Sequence, residues 1–173
     1  RSCSGSSSVL LASEKSARGF SDNPIWISGI GQKTTSASFT KNDLDVIKST
    51  HVAADSAYKM ADILPNDIDV AEVHDAFSVC ELMAISELGI TSGEKSGEFV
   101  RNLFNTEDRM INPRGGLIGA GHPLGATGIS QTIEITNQLQ GKSEKRQINN
   151  AKIGLIHNMS AAGTSSSVMV MKN

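Results

Sequence analysis

Hydrophobic and polar positions along the chain follow two periods, one typical of strands and one typical of helices. Short runs rich in aliphatic and β-branched residues predict five strands, at 8–12, 24–32, 68–75, 151–159 and 165–173. Apolar residues at steps of three and four predict helices at 46–61, 77–88 and 129–140, a short helical piece at 97–104 and a short helix or turn at 13–20. Asn42 or Asp43 is the expected N-cap of the first long helix.

The order of these elements predicts the fold class. Strands and helices alternate along the chain, and only the short segment SAAGT separates the last two strands. This order is typical of an α/β layered domain with a mixed five-stranded sheet and helices on its faces, in which the last two strands form an antiparallel hairpin. A length of 173 residues suits one domain. Aromatic residues make up only 4% of the chain, so the core must rely on aliphatic side chains and methionine.

Charge and cysteine usage exclude several classes of function. The formal net charge is −2 and no basic tract is visible, so the sequence gives no support to nucleic-acid binding. No apolar run has membrane-spanning length. Cys3 and Cys80 form neither a metal-binding spacing nor a disulfide framework. We therefore expect a cytoplasmic protein that binds neither nucleic acid nor membranes.

The segment GGLIGAGHPLGATG, residues 115–128, contains six glycines and one histidine, His122. Glycines at this density let a backbone turn tightly or approach another group closely. The spacing of Gly119, Gly121 and Gly125 is not the GxGxxG of a dinucleotide-binding loop, and Pro123 interrupts it. Two interpretations stay open: a tight turn that packs a helix on a sheet, or a functional loop that presents His122.

Three of the four histidines lie at the ends of predicted elements. His74 and His157 end strands, and His122 precedes a helix, whereas His51 lies inside a helix. Ligands of α/β sheets bind beyond the carboxyl ends of strands, and helix N-termini favour negative charge. A single histidine in such a place is often only a hydrogen-bonded structural residue. A metal site is disfavoured because the spacing is long and no HxxxH or adjacent carboxylate pattern occurs.

Three motifs give the chain a resemblance to a known family. HDAF (74–77), GAGHPLGATG (119–128) and HNMSAAG (157–163) occur in the order found in the C-terminal half of thiolases. The sequence is most similar to the sterol-carrier-protein-type branch, which carries HDCF where other thiolases have NEAF, and to archaeal relatives. The opening GSSSVLLASEKSA also resembles the start of this half. The resemblance implies that residues 1–173 form a C-terminal thiolase domain, and that the N-terminal half with the nucleophilic cysteine is absent.

The resemblance implies acyl transfer between acyl-coenzyme A thioesters, by condensation or by thiolytic cleavage. It places His122 as a donor to a thioester oxygen and as an aid to the nucleophile. His74 takes the position of the NEAF asparagine and would help to build the same oxyanion site, directly or through water. The implied substrate and oxyanion loops are Gly119, Gly121, Gly125, Asn158, Met159 and Ser160. Coenzyme A thioesters would be substrates, and no resident cofactor or metal is expected.

Two departures from the family pattern leave the proton-abstracting group open. His157 lies where ordinary thiolases carry a catalytic cysteine, and it is one candidate base. Ala76 replaces the cysteine of HDCF, and Cys80, one helical turn further on, is a possible substitute or an inert core thiol. A non-catalytic lipid-transfer protein and a scaffold subunit therefore remain alternatives. The scaffold would associate with a hydroxymethylglutaryl-CoA synthase and a zinc-ribbon/OB protein.

The resemblance also carries expectations about assembly. The full-length protein is expected to be a homodimer or tetramer. The isolated 173 residues are expected to show no turnover, to expose apolar surface and to self-associate.

Overall fold

The computed structural model describes residues 3–38, 41, 45–91, 93, 95–105 and 110–173, without the side chain of Phe104. Within this part of the chain the helices are α1 (Glu14–Ala17), α2 (Lys48–Ala61), α3 (Ser78–Glu87), α4 (Ser96–Phe104), α5 (Gly116–Ala120) and α6 (Thr127–Gln140). The strands are β1 (Trp26–Thr34), β2 (Val70–Glu72), β3 (Ile153–Met159) and β4 (Ser165–Lys172). Single 3₁₀ turns span Pro65–Asp67 and Glu144–Arg146. The predicted helices are present, while Asn42 and Asp43 lie outside the described residues.

The four strands form one mixed sheet in the order β1-β4-β3-β2. The β1/β4 and β3/β4 pairs are antiparallel and the β2/β3 pair is parallel, so the mixed sheet and its terminal hairpin are confirmed. The prediction of a fifth strand at 8–12 is wrong. No strand among the described residues pairs with this segment, and Leu10 and Leu11 are 70% and 74% exposed. An apolar run forms a strand only where a partner satisfies its backbone groups.

Helix α2 packs very closely against one face of the sheet, which we call the α2 face. A Cβ atom on Gly31 would lie 1.8 Å from the carbonyl oxygen of Ala53, and one on Gly29 would lie 2.2 Å from that of Ala57. The contact therefore requires glycines on β1 opposite small residues on the helix. Leu155, Val168 and buried aliphatic residues of α3 continue this main core.

Helix α6 covers the opposite face, which we call the α6 face, over only part of its area. Its buried residues Ile135 and Leu139 pack on Val70, Ile156 and Met171. Successive residues of a strand point to opposite faces. Consequently Leu155 and His157 lie on the α2 face, whereas Ile156 and Asn158 lie on the α6 face.

Candidate functional site

An open cavity of about 820 Å³ lies on the α6 face, where β2 and β3 end. Its lining is mostly apolar, and no Lys, Arg, Asp or Glu occurs among the described residues that form it. The side chains in it that can donate or accept hydrogen bonds are those of His74, Cys80, His122, Thr132, Asn158, Ser160 and Ser167. The cavity is therefore a mostly apolar space with a few polar side chains in its wall.

His74 and His122 form the polar centre of this cavity. Their ring centroids lie 5.2 Å apart, and the rings meet edge to face at 89°. His74 follows β2, and His122 lies in the loop between α5 and α6. The sequence separates the two residues by 48 positions, yet both border one space, as expected for groups at a strand end and a helix entrance.

The hydrogen bonds of His122 fix which of its nitrogens faces the cavity. Its Nδ1 lies 2.8 Å from Thr127 Oγ1, and the Thr127 hydroxyl donates to the Pro123 carbonyl at 3.1 Å. A threonine hydroxyl has only one hydrogen, so it accepts from the Nδ1–H of His122. In the uncharged ring Nε2 then carries the lone pair and can accept a proton.

Two side-chain amides, those of Asn158 and Gln131, orient His74. Asn158 Nδ2 donates to Gln131 Oε1 at 2.5 Å, which turns Asn158 Oδ1 towards His74 Nδ1 at 3.4 Å. His74 therefore donates through Nδ1–H. Burial is the main cause that lowers the pKa of His74, while the bond to Asn158 raises it and the nearby His122 lowers it further. His74 is consequently uncharged at neutral pH.

The glycine-rich loop is anchored by the carboxylate of Asp75. Its Oδ1 accepts the backbone N–H of Leu117 at 2.6 Å, and its Oδ2 accepts that of Ile118 at 3.4 Å. Gly116 has φ +62°, and a Cβ on it would lie 2.1 Å from Asp75 Oδ2. Gly116 thus permits both the backbone conformation and the close approach of the carboxylate.

A buried ion pair lies at the base of the same loop. Glu72, at the end of β2, is fully buried, and its Oε2 is 3.7 Å from Nε of Arg114. Arg114 also donates through one guanidinium nitrogen to Ser130 Oγ at 2.5 Å. Burial raises the pKa of Glu72 to about 7, although the Arg114 charge opposes that shift. Together with Ser130, the pair connects β2, the loop and α6.

The third predicted histidine lies elsewhere. His157 does not end its strand, as the sequence pattern suggested, but lies inside β3 with two residues after it. It is fully buried on the α2 face, does not border the cavity, and is hydrogen-bonded to Thr50. Of the three histidines at the ends of predicted elements, only His74 and His122 border the cavity.

The other predicted site residues divide in the same way. Gly125, Asn158, Met159, Ser160 and the half-buried Cys80 border the cavity. Gly119 and Gly121 do not: a Cβ on Gly119 would meet open space, and one on Gly121, which has φ +89°, would lie 2.7 Å from Cys3 Sγ. Hence Gly121 is required by the backbone conformation of its loop rather than by the cavity.

Sequence reasoning missed three residues that orient the site, namely Asp75, Thr127 and Gln131. Asp75 and Thr127 lie inside the quoted motifs HDAF and GAGHPLGATG, one and five residues after the histidine of each motif, so the motifs contained an available signal. Gln131 gave no such signal, because it is one of several polar residues on the buried face of α6, together with Thr132, Glu134 and Gln138. Within the described residues no three His, Cys, Asp or Glu side chains are grouped as metal ligands would be. None of the described helices is both long and apolar enough to cross a membrane.

Comparisons with known proteins agree with the fold and the motifs. The family profile described as thiolase C-terminal domain-like matches residues 31–173. An acetyl-CoA acetyltransferase of Methanothermobacter thermautotrophicus is 38% identical over 169 residues, which are 96% of this chain and 44% of that protein. Sterol carrier protein 2 of Oryctolagus cuniculus is 45% identical over 113 residues, 64% of this chain and 21% of that protein.

A solved structure supports the fold independently. The Ltp2-ChsH2(DUF35) aldolase superposes with a TM-score of 0.75 at 18% identity, covering 86% of this chain and 39% of that one. The chain thus spans less than half the length of the relatives and the structure described here. The match over most of its length nevertheless shows that the chain belongs to the thiolase C-terminal domain-like family.

Proposed function

We propose that this chain is the C-terminal half of an acyltransferase that forms or cleaves a carbon–carbon bond on acyl-coenzyme A thioesters. The edge-to-face pair of His74 and His122 in the wall of an apolar cavity carries the proposal. Acyl transfer places negative charge on a thioester oxygen, and imidazoles held in fixed orientations stabilise such charge. The name of the archaeal relative, acetyl-CoA acetyltransferase, favours the same reaction class.

The fixed tautomer of His122 suits the first half-reaction. Its Nε2 lone pair takes the proton of a cysteine thiol supplied by the remainder of the protein, and the thiolate attacks the thioester carbon. The resulting Nε2–H donates a hydrogen bond to the thioester oxygen as that oxygen becomes negative. When the C–S bond breaks, this proton passes from Nε2 to the sulfur of coenzyme A, which leaves as its thiol. Thr127 holds the ring through Nδ1 during both steps.

His74 complements His122 through a bound water. In its uncharged form its Nδ1–H is directed at Asn158, so Nε2 can only accept a hydrogen bond. A water that donates one hydrogen to Nε2 has the other free for the thioester oxygen. The apolar lining suits the acyl chain, whereas the phosphates of coenzyme A need cations from other residues.

The second half-reaction needs a base that removes an α-proton. Among the described residues that border the cavity, Cys80 has the only thiol and no carboxylate occurs, while Ala76 occupies the cysteine position of HDCF. We assign this step to Cys80, whose thiolate form takes the α-proton and becomes the thiol. The same lining supports one alternative, a non-catalytic lipid-transfer or scaffold protein, in which the base is missing and the condensation does not occur.

Intact mass measurement on the full-length protein with acetyl-CoA tests the first half-reaction. We expect an acetyl adduct, with His122→Ala lowering its rate of formation by about a thousandfold. His51→Ala is the matched control, because His51 is an exposed histidine of α2. A full rate in His122→Ala, or no adduct in the unmodified protein, would contradict the assignment.

Formation of acetoacetyl-CoA tests the second half-reaction separately. Cys80→Ser should leave the adduct unchanged and lower condensation by about a hundredfold or more. Unimpaired condensation in Cys80→Ser would assign the proton to another group. An adduct without any condensation in the unmodified protein would favour the non-catalytic alternative.

A further inference from the structure

A continuous chain of hydrogen bonds crosses the α2 face from His157 to the turn between β3 and β4. His157 Nε2 lies 3.0 Å from Thr50 Oγ1, and that oxygen is 2.9 Å from Ser166 Oγ. Ser166 Oγ is 2.8 Å from Ser49 Oγ, which donates to the Gly163 carbonyl at 2.6 Å. The four side chains are buried to 1% exposure or less.

The direction of every bond in this chain follows from its last member. Each hydroxyl has a single hydrogen, and that of Ser49 is donated to the Gly163 carbonyl. Ser49 therefore accepts from Ser166, and Ser166 accepts from Thr50. Thr50 in turn must accept from His157, so the histidine carries its hydrogen on Nε2.

This direction explains why Nδ1 of His157 has no hydrogen-bond partner although it is buried. In the Nε2–H tautomer Nδ1 is a bare lone pair, and leaving it unpaired costs less than burying an unpaired N–H. Burial, with a smaller effect of His74, lowers the pKa of His157 to about 3. The ring therefore stays uncharged, and the chain ends on a carbonyl that cannot pass a proton onward.

The far end of the chain is a turn that borders the cavity. Gly163 has φ +64°, and its N–H donates to the Ser160 carbonyl at 2.8 Å. Ser160 N–H donates in turn to the Ser165 carbonyl at 2.8 Å. Ser160 and Ala161 of this turn line the cavity on the other side of the sheet.

We propose that His157 is a positioning residue that fixes the 160–164 turn at the rim of the cavity through the Thr50–Ser166–Ser49 chain. It does not remove protons from substrate, since it faces away from the cavity. The turn lies beside the cavity in which the proposed acyl transfer takes place. The inference goes beyond that function, and its tests require no activity.

Nitrogen-15 spectra of the full-length protein labelled on histidine test the tautomer. His157 should show a protonated Nε2 and an unprotonated Nδ1, unchanged between pH 5.5 and 8.5, with the signal assigned from a His157→Gln variant. An Nδ1–H tautomer, or a titration within that range, would overturn the proposal. This measurement on the unmodified protein decides the question even if the variants fold poorly.

Hydrogen exchange of the Gly163 and Ser160 amides tests the positioning role. Thr50→Val keeps the shape of the side chain but removes its hydroxyl, and we expect exchange about tenfold faster in the turn. Thr50→Ser should restore the native rate. The matched control is Thr136→Val, because Thr136 donates only within α6, to the Thr132 carbonyl. Unchanged exchange in a folded Thr50→Val, or equal acceleration in Thr136→Val, would overturn the role.

Discussion

His157 and Asn158 are adjacent in one strand, yet they belong to two different hydrogen-bond systems. His157 enters a closed system on the α2 face that ends on a backbone carbonyl. Asn158 enters an open one on the α6 face, which leads from Gln131 to His74 and the cavity. Both systems fix the tautomer of a histidine. Only the α6 side leaves a ring nitrogen where a substrate could reach it.

The packing of the two faces explains this difference. On the α2 face, glycines of β1 bring the helix so close to the strand that an added Cβ would collide with the helix backbone. On the α6 face, the helix covers the sheet only as far as the cavity, whose wall contains Asn158 and the two histidines. The tightly packed α2 face therefore makes the sheet rigid, whereas the α6 face carries the side chains that could contact a substrate.

The largest effect should follow from closing the space between β1 and α2. Gly31→Ala puts a methyl group 1.8 Å from the Ala53 carbonyl oxygen, so the helix must move and its core contacts loosen. We expect the free energy of unfolding to fall by about 3 kcal/mol, measured by urea denaturation. Gly97→Ala is the control, since a Cβ there meets open space within α4. An equal midpoint for both variants would show that α2 is not packed as tightly as described.

A smaller loss in the free energy of unfolding should follow from lowering the pH, because His157 on the α2 face is buried in its uncharged form. The pKa of His157 is about 3 in the folded chain and about 6.5 when exposed, so only the unfolded chain binds this proton between those values. The stabilisation is complete above pH 6.5 and is lost as pH falls. At pH 5 its loss amounts to about 2 kcal/mol.

The difference between the unmodified protein and His157→Gln isolates this contribution. Glu72 has the opposite effect, because its pKa is raised in the folded chain and its proton stabilises the fold as pH falls from about 7. His74, on the other face, acts in the same direction as His157. Both groups remain in the variant, so their effects cancel in the difference. Parallel stability curves from pH 7.5 to 5 would mean that His157 is not buried in its uncharged form.

The sequence predicted the main helices, and it placed His74 at a strand end and His122 before a helix, because both predictions depend on local patterns. Helical period identifies buried faces, and the ends of adjoining elements meet at one edge of a sheet. The His157 error came from the same kind of rule. β3 ends at Met159, as the predicted strand does, so His157 lies two residues inside it and shares its face with Leu155 and not with Asn158. The alternation of the strand contained this information.

Other features depend on contacts that no local pattern reveals. Residues 8–12 read as a strand by composition, but a strand exists only where a second one accepts its hydrogen bonds. The chain from His157 through Thr50 and Ser166 joins residues more than 100 positions apart. The direction of the hydrogen bonds in this chain follows from the Ser49 hydroxyl, whose one hydrogen is donated to the Gly163 carbonyl. Only the three-dimensional structure reveals such features.

The smallest effect should come from releasing His122 on the α6 face without removing it. Thr127→Val keeps the size of the side chain but removes the oxygen that accepts Nδ1–H at 2.8 Å. The ring can then rotate or change tautomer, so the lone pair on Nε2 is directed at the cavity for less of the time. We expect acetylation by acetyl-CoA to slow by about tenfold, mainly in kcat. Thr136→Val, on the same helix but outside the cavity, should leave the rate unchanged. A native rate in Thr127→Val would mean that the cavity itself orients His122, and the hydrogen bond would then be only structural.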